Sequence, residues 1–424
     1  MKKISKYIVL FAAAIGMTGC NEFLDIKPEG KVIPETLEDF RAVLTTGYNA
    51  FPRHKSLASL RADELTLNEF DDQLVYYRDI YIWKDANPDP ATTTFQWGQL
   101  YNTIFYTNVV INEASAKVPA SAEKNQLIGE AHALRALTYF DLINLFGKPY
   151  NAATSGSDKG VPLALEVDLE QNFIPESVAN VYNQILFDID QAKNLLNQST
   201  QATGLNYRFS KASIFALEAR VRLYRNEWQK ALDAANTALT YKSELADLNS
   251  AAVLPNKFNG VESVMALDDA FISTLKTASY ASADLIGAFS QQNDLRFPLY
   301  FQASGSRFKF KKGGEQDQKC TFRTSELYLN KAAAQLRLDN VTEAKATVLP
   351  LLQKRYTPAG YTQLSTQVNN MSAQDFTNFL FEERRRELAV EGHRWFDLRR
   401  MNQKQIIHQI DGQDYTLIQN DPRY

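Results

Sequence analysis

The chain has 424 residues, 45% of them hydrophobic and 22% charged, with 46 Lys and Arg against 49 Asp and Glu. At roughly 150 residues per domain the length allows one large domain or two to three smaller ones, and the apolar content is that of a globular protein rather than a disordered one. A net charge of −3 leaves no basic footprint for nucleic acid, two cysteines cannot build a disulfide framework, and four histidines leave little material for a metal centre. Neither a metal nor a cofactor is expected.

At the N-terminus, Lys2, Lys3 and Lys6 precede an apolar run from Tyr7 to Met17, followed by Thr18-Gly19-Cys20. This is the charged, apolar and small-residue order of a secretory signal, and the run is too short to cross a hydrocarbon core about 30 Å thick. The Thr18-Gly19-Cys20 step resembles the lipobox of bacterial lipoproteins, with Met17 where Leu is usual. The resemblance implies a signal peptide at 1–19 and acylation of Cys20, which becomes the first mature residue. Each methylene of an acyl chain adds about 0.8 kcal/mol of membrane affinity, so two or three chains tether a protein firmly.

The next elements read as helices. Trp97, Leu100, Tyr101, Ile104, Phe105, Val109 and Ile111 recur at helical spacing between Phe95 and Ala116. Ala122 to Phe146 repeats the pattern and stops at Gly147 and Pro149. A third helix runs from Ser177 to Leu196, with Ser177 as N-cap. Lys211 to Tyr224, a turn at Arg225-Asn226, and Glu227 to Leu239 form a helical hairpin, and Thr324 to Lys354 forms a similar one around Asp339-Asn340. Aligning Asn226 with Asp339 superposes Trp228 on Val341, Ala231 on Ala344 and Ala219 on Ala332. Small residues at matched crossings are what tetratricopeptide-type hairpins need, because close helix axes leave no room for larger ones. A long insertion interrupts the period, so periodicity alone leaves the repeat open.

That insertion, about Glu244 to Lys319, is rich in Gly, Asn, Ser, Asp and Pro, with strand-like runs at Ser263–Leu267 and Arg307–Phe310. Residues 68–92 and 147–175 are also irregular, and long loops on helical bodies commonly carry function. In the first of them, alternation of an extended segment would put Tyr77, Tyr81 and Trp83 on one side, beside Asp72. Rings stack on the C–H faces of sugars while carboxylates bond to hydroxyls, so these four residues are the candidate ligand site; the competing reading packs the rings in the core. Phe297, Tyr300 and Phe301 beside Arg296 form a second candidate.

Near the C-terminus, Glu383, Glu387 and Glu391 stand four residues apart on one helix face, where like charges repel unless cations lie against them. Gly392 can end the helix in the left-handed conformation and turn Arg394 and Arg399 back towards the stripe, with Asp397 between them. This is expected to be a structural ion network. A glycosidase needs one carboxyl kept protonated, and a helix dense with Arg works against that. His393 lacks the spacing of a zinc motif, with His54, His132 and His408 scattered elsewhere. Cys320 lacks any mark of a nucleophile, Gly313-Gly314 is a turn, and no G-x-S-x-G occurs.

Glu383 to Arg400 resembles the C-terminal signature of the SusD/RagB family of outer-membrane nutrient-binding lipoproteins, ERR-x-EL-x-x-EG-x-RW-x-DLRR. Phe23-Leu24-Asp25 after Cys20, the Trp97/Tyr101/Ile104/Asn108 helix, Ala131 with Leu134-Arg135-Ala136 and Tyr139–Leu142, Asp294-x-Arg296 and Arg323–Leu329 match further family features in order. The resemblance implies a mainly α SusD-like fold: a superhelical body of tetratricopeptide-like hairpins with a loop-rich insertion containing short strands. It implies one domain over 20–424, comprising an N-terminal helical part (20–243), the insertion (244–320) and a C-terminal helical part (321–424). The implied function is non-enzymatic: a surface-exposed, lipid-anchored outer-membrane protein that captures oligosaccharide and passes it to a SusC-like TonB-dependent transporter. Peptide capture is the alternative within the family; a surface glycan hydrolase and a pure hairpin scaffold are alternatives outside it.

Overall fold

The computed structural model describes residues 33–167, 173–402 and 404–424. Cys20 and Phe23-Leu24-Asp25 lie outside the described residues. Helix Leu37–Ala50 opens with a capping box in which Thr36 and Asp39 satisfy each other's backbone N–H groups. It packs on Trp97–Lys117, which packs on Ala122–Phe146, which in turn packs on Val178–Leu195. Ser121 and Ser177 cap the last two by accepting from the backbone N–H three residues on.

Polar residues of the second and third of these helices hold the loop that follows Gly147. Tyr101 donates to the carbonyl of Pro162 at 2.7 Å, and Asn108 and Tyr139 both donate to that of Ala164 at 2.9 Å. Arg135 braces Asn108 from behind (2.9 Å) while its other face pairs with buried Asp188 at 2.7 Å. The irregular stretch after Gly147 is therefore held at Pro162 and Ala164 by side chains of helices Trp97–Lys117 and Ala122–Phe146.

The two hairpins form as their sequences require. The first is Lys211–Tyr224 with Trp228–Tyr241, the second Thr324–Arg337 with Val341–Arg355. Asn226 and Asp339 occupy matching turn positions with φ of 60° and 61°, the left-handed region that Asn and Asp tolerate best. Ala219, Ala231, Ala332 and Ala344 are all fully buried, and Thr324–Arg337 packs on Trp228–Tyr241 as well as on its own partner. The hairpins thus stack on each other although the insertion separates them in the chain. Short antiparallel strand pairs complete the fold, among them Leu65–Leu67 with Ser279–Ala281, Phe301–Ser304 with Arg307–Phe310, and Ile406–Ile410 with Gln413–Leu417.

Because the hairpin crossing admits no larger side chain, Ala332→Leu should destabilise the protein by about 1–3 kcal/mol through overpacking. Urea denaturation monitored by circular dichroism measures it.

Candidate functional site

The helix carrying the glutamate stripe, Ala373–Glu387, ends at Glu387, and Glu391 lies in the turn that follows. All three carboxylates are buried. Their cations come from distant segments. Arg355 bonds Glu387 at 2.9 Å, Arg323 at 2.5 Å and Arg296 at 2.8 Å. Arg296 also reaches Glu383 (2.6 Å) and Asp294 (2.8 Å), while Lys312 and Arg323 hold Glu391 at 2.6 and 2.9 Å. Glu262 closes the network on Arg323 and Arg355. Burial pushes the Glu387 carboxyl up, but Arg355, Arg323 and Arg296 outweigh it and hold its pKa well below the usual range. Glu391, buried against Arg323 and Lys312, is held down to about 2 in the same way.

Arg394 and Arg399 do not return to the stripe. Arg394 pairs with Asp63 at 2.8 Å, and Arg399 donates to the carbonyls of Asn144 and of Gly147, the latter at 2.8 Å. Asp397 takes Arg384 (2.6 Å) and Arg400 (2.7 Å). Gly392 does adopt a positive φ of 77°, but beyond the helix, where a Cβ would lie 2.6 Å from that of Lys55. The signature thus splits into separate ion pairs that bind the last segment to different parts of the body.

The candidate ligand residues are also rearranged. Leu74–Tyr81 is a helix, not an extended segment. Tyr77, Ile80 and Tyr81, spaced i, i+3, i+4, form its buried face. Tyr77 bonds Thr274 at 2.7 Å. Trp83 is 2% exposed, donates to the Arg61 carbonyl at 3.0 Å, and with Tyr81 sandwiches His408 at ring distances of 4.2 and 3.9 Å. These rings are core, and no sugar can stack on them. Asp72 alone of the four is exposed. Of the second candidate, Tyr300 and Phe301 are buried and Arg296 belongs to the ion network. Cys320 is buried, which pushes its thiol up to about 12 and leaves it inert as a nucleophile.

The same stretch nevertheless presents aromatic surface through residues that alternation passed over. The turn after Leu65–Leu67 is fixed by the Asn68 N–H on the Ala278 carbonyl (2.8 Å) and the Gln73 N–H on Asp71 (2.9 Å), and Glu69 accepts from the Asp411 N–H at 3.0 Å. Held at both ends, it projects Phe70 into solvent, 94% exposed, with Tyr76, 40% exposed, in the first turn of the helix that follows. Across the strand pair, Tyr280 stands opposite Thr66 and carries Lys309 at 3.9 Å and Arg307 at 4.6 Å over its ring. Phe70 and Tyr76 beside Asp71 and Asp72, and Tyr280 beside Arg307 and Lys309, thus offer rings with both signs of hydrogen-bonding group. An isolated large apolar residue in a run of Asp and Asn was the signal for Phe70; nothing in the sequence pairs it with Tyr280.

The chain belongs to the SusD/RagB family. Residues 22–223 match a family model described as starch-binding and associating with the outer membrane, and residues 299–424 match that of the SusD family. A SusD-like protein of Formosa agariphila, P38, is 25% identical over 97% of this chain and 95% of its own. Among solved structures, a SusD superfamily protein of Bacteroides fragilis has a TM-score of 0.77 at 20% identity, covering 93% of this chain and 96% of that one. A laminarin-binding SusD-like protein has a TM-score of 0.62 at 19% identity, covering 85% and 90%. The fold is thus the helical SusD-like fold, and no helix among the described residues is long and apolar enough to cross a membrane.

Two measurements check this placement. Trp83→Ala should cost about 3–5 kcal/mol in chemical denaturation, as truncation of a core ring does. Buried Glu64 gives the pH test: burial raises its carboxyl to about 7, against the lowering effect of the Val390 N–H it accepts at 2.9 Å. The folded state holds this proton to higher pH than the unfolded chain, so Glu64 costs stability as pH rises from about 4.5 through 7. Glu64→Gln keeps the acceptor for Val390 and should raise stability by about 2–3 kcal/mol at pH 8, with little change at pH 4, measured by denaturation at each pH.

Proposed function

We propose that the protein captures a glycan on the face formed by Phe70, Tyr76 and Tyr280 and passes it to a SusC-like TonB-dependent transporter while acylated Cys20 tethers it to the outer membrane. The observation that carries the reading is Phe70: a ring 94% exposed on a turn pinned at both ends gains by covering its face, and the neighbouring carboxylates and cations bond hydroxyls at its edge. Family membership and the laminarin-binding neighbour support a carbohydrate ligand. The role is binding without catalysis. The densest carboxylates of the chain, Glu383, Glu387 and Glu391, are buried and held ionised by Arg and Lys, out of reach of a glycosidic bond. Residues 20–424 act as one SusD-like domain, with the hairpins as framework and the 68–76 turn and the 244–320 insertion as the ligand-facing part.

Phe70→Ala and Tyr280→Ala should each weaken binding of a β-glucan oligosaccharide about tenfold, equivalent to 1.4 kcal/mol, and leave the melting temperature unchanged. Titration calorimetry measures this, with chromatography of the mixture expected to return the glycan uncut. Unchanged affinity in both variants removes this face from the site, and shortened products reassign the protein as a hydrolase.

A further inference from the structure

Ile80 of helix Leu74–Tyr81 lines a cleft of about 480 Å³ between the 84–95 loop, the end of helix Ala122–Phe146 and the C-terminal segment. Six basic side chains line it, Arg61, Lys84, Lys148, Lys159, Arg399 and Arg423, against the one carboxylate of Asp85. This runs against the acidic balance of the whole chain. Lys148, Lys84 and Arg423 do pair with Asp158 (2.7 Å), Asp79 (3.0 Å) and Asp421 (2.7 Å), but those carboxylates are largely covered and none lines the cleft. Arg61 is taken by Asp85 at 2.6 Å and Arg399 by the carbonyls of Asn144 and Gly147, so the charge offered at the mouth is that of Lys148, 72% exposed, and of Lys159, also exposed, which forms no ion pair with any described residue. Phe95 and Phe146 supply an apolar wall, and Phe146 is braced edge-on by Trp97 at 4.7 Å.

We infer that this cleft is a second ligand site, specific for a saccharide bearing an anionic group, a uronate carboxylate or a sulfate ester. The cations concentrate an anion at the mouth, while the phenyl wall takes the apolar face of the ring that carries it. The saccharide part of the inference rests on the glycan-capture reading; the preference for negative charge rests on the cleft alone. A neutral sugar offers no counter-charge to Lys159 or to the exposed ammonium of Lys148, so affinity follows ligand charge and falls with salt.

Titration calorimetry of the purified protein with an oligogalacturonate, a sulfated galactan oligosaccharide and a neutral gluco-oligosaccharide of equal length tests the site. At least one acidic probe should bind, about tenfold more weakly at about 500 mM than at about 50 mM salt. Which one binds identifies the anion. Lys148→Ala/Lys159→Ala should weaken that binding about tenfold while leaving the neutral probe unaffected, and Phe70→Ala should do the reverse. Lys159→Glu, at an exposed position without an ion-pair partner, gives the same test if the double variant folds poorly. Absence of binding by both acidic probes overturns the second site, as does acidic binding that is unchanged in the Lys variants or lost in Phe70→Ala. Loss of neutral binding alone bears only on the Phe70 face.

Discussion

The buried carboxylate of Glu387 receives three guanidinium groups, from Arg296 in the insertion, Arg323 at the start of the second hairpin and Arg355 at its end. A carboxylate removed from water is tolerable only when its lone pairs are filled, and these three donors fill them. The net stabilisation is smaller than Coulomb's law suggests, because every ion in the network has lost its hydration. What the arrangement enforces is position. Displacing any one of the three segments leaves a bare charge in the interior, at about 3–5 kcal/mol. An insertion with few helices of its own is thereby locked to the most regular part of the body.

The consequence is a division between framework and surface. The hairpins and the ion network involve buried groups with assigned partners, and they leave little room for variation. The 68–76 turn and the Phe301–Phe310 hairpin hang from that framework by a few backbone bonds, and their outward side chains are free to differ without disturbing the packing. The turn at Phe70 is ordered by its backbone and capping carboxylates rather than by burial of its own ring, an arrangement suited to presenting that ring to a ligand.

The periodic and matched features were legible in the chain. Ala122–Phe146, the Ser177 cap, both hairpins and the strand Arg307–Phe310 follow from local spacing, and the small residues at Ala219, Ala231, Ala332 and Ala344 announce helix crossings wherever they occur. Tyr77, Ile80 and Tyr81 carried an equally readable helical period, but the alternation of 77, 81 and 83 offered a competing extended reading. A period of two and a period of near four share every fourth residue, so a short stretch does not separate them.

The amino-acid sequence by itself determined the longer periodic helices, the Ser177 cap, the two hairpin turns and the need for cations around Glu383, Glu387 and Glu391, because each depends on neighbours within a few residues or on a charge that must be neutralised. Which cations answer that need was decided only by the tertiary structure. Arg394, close in sequence, goes to Asp63, while Arg296, Arg323 and Arg355 arrive from far along the chain. The same holds for the aromatic residues: burial of Trp83 against His408 and exposure of Phe70 depend on which segment packs over each ring. A side chain's chemistry is local, but its partner and its access to water belong to the packing of segments hundreds of residues apart.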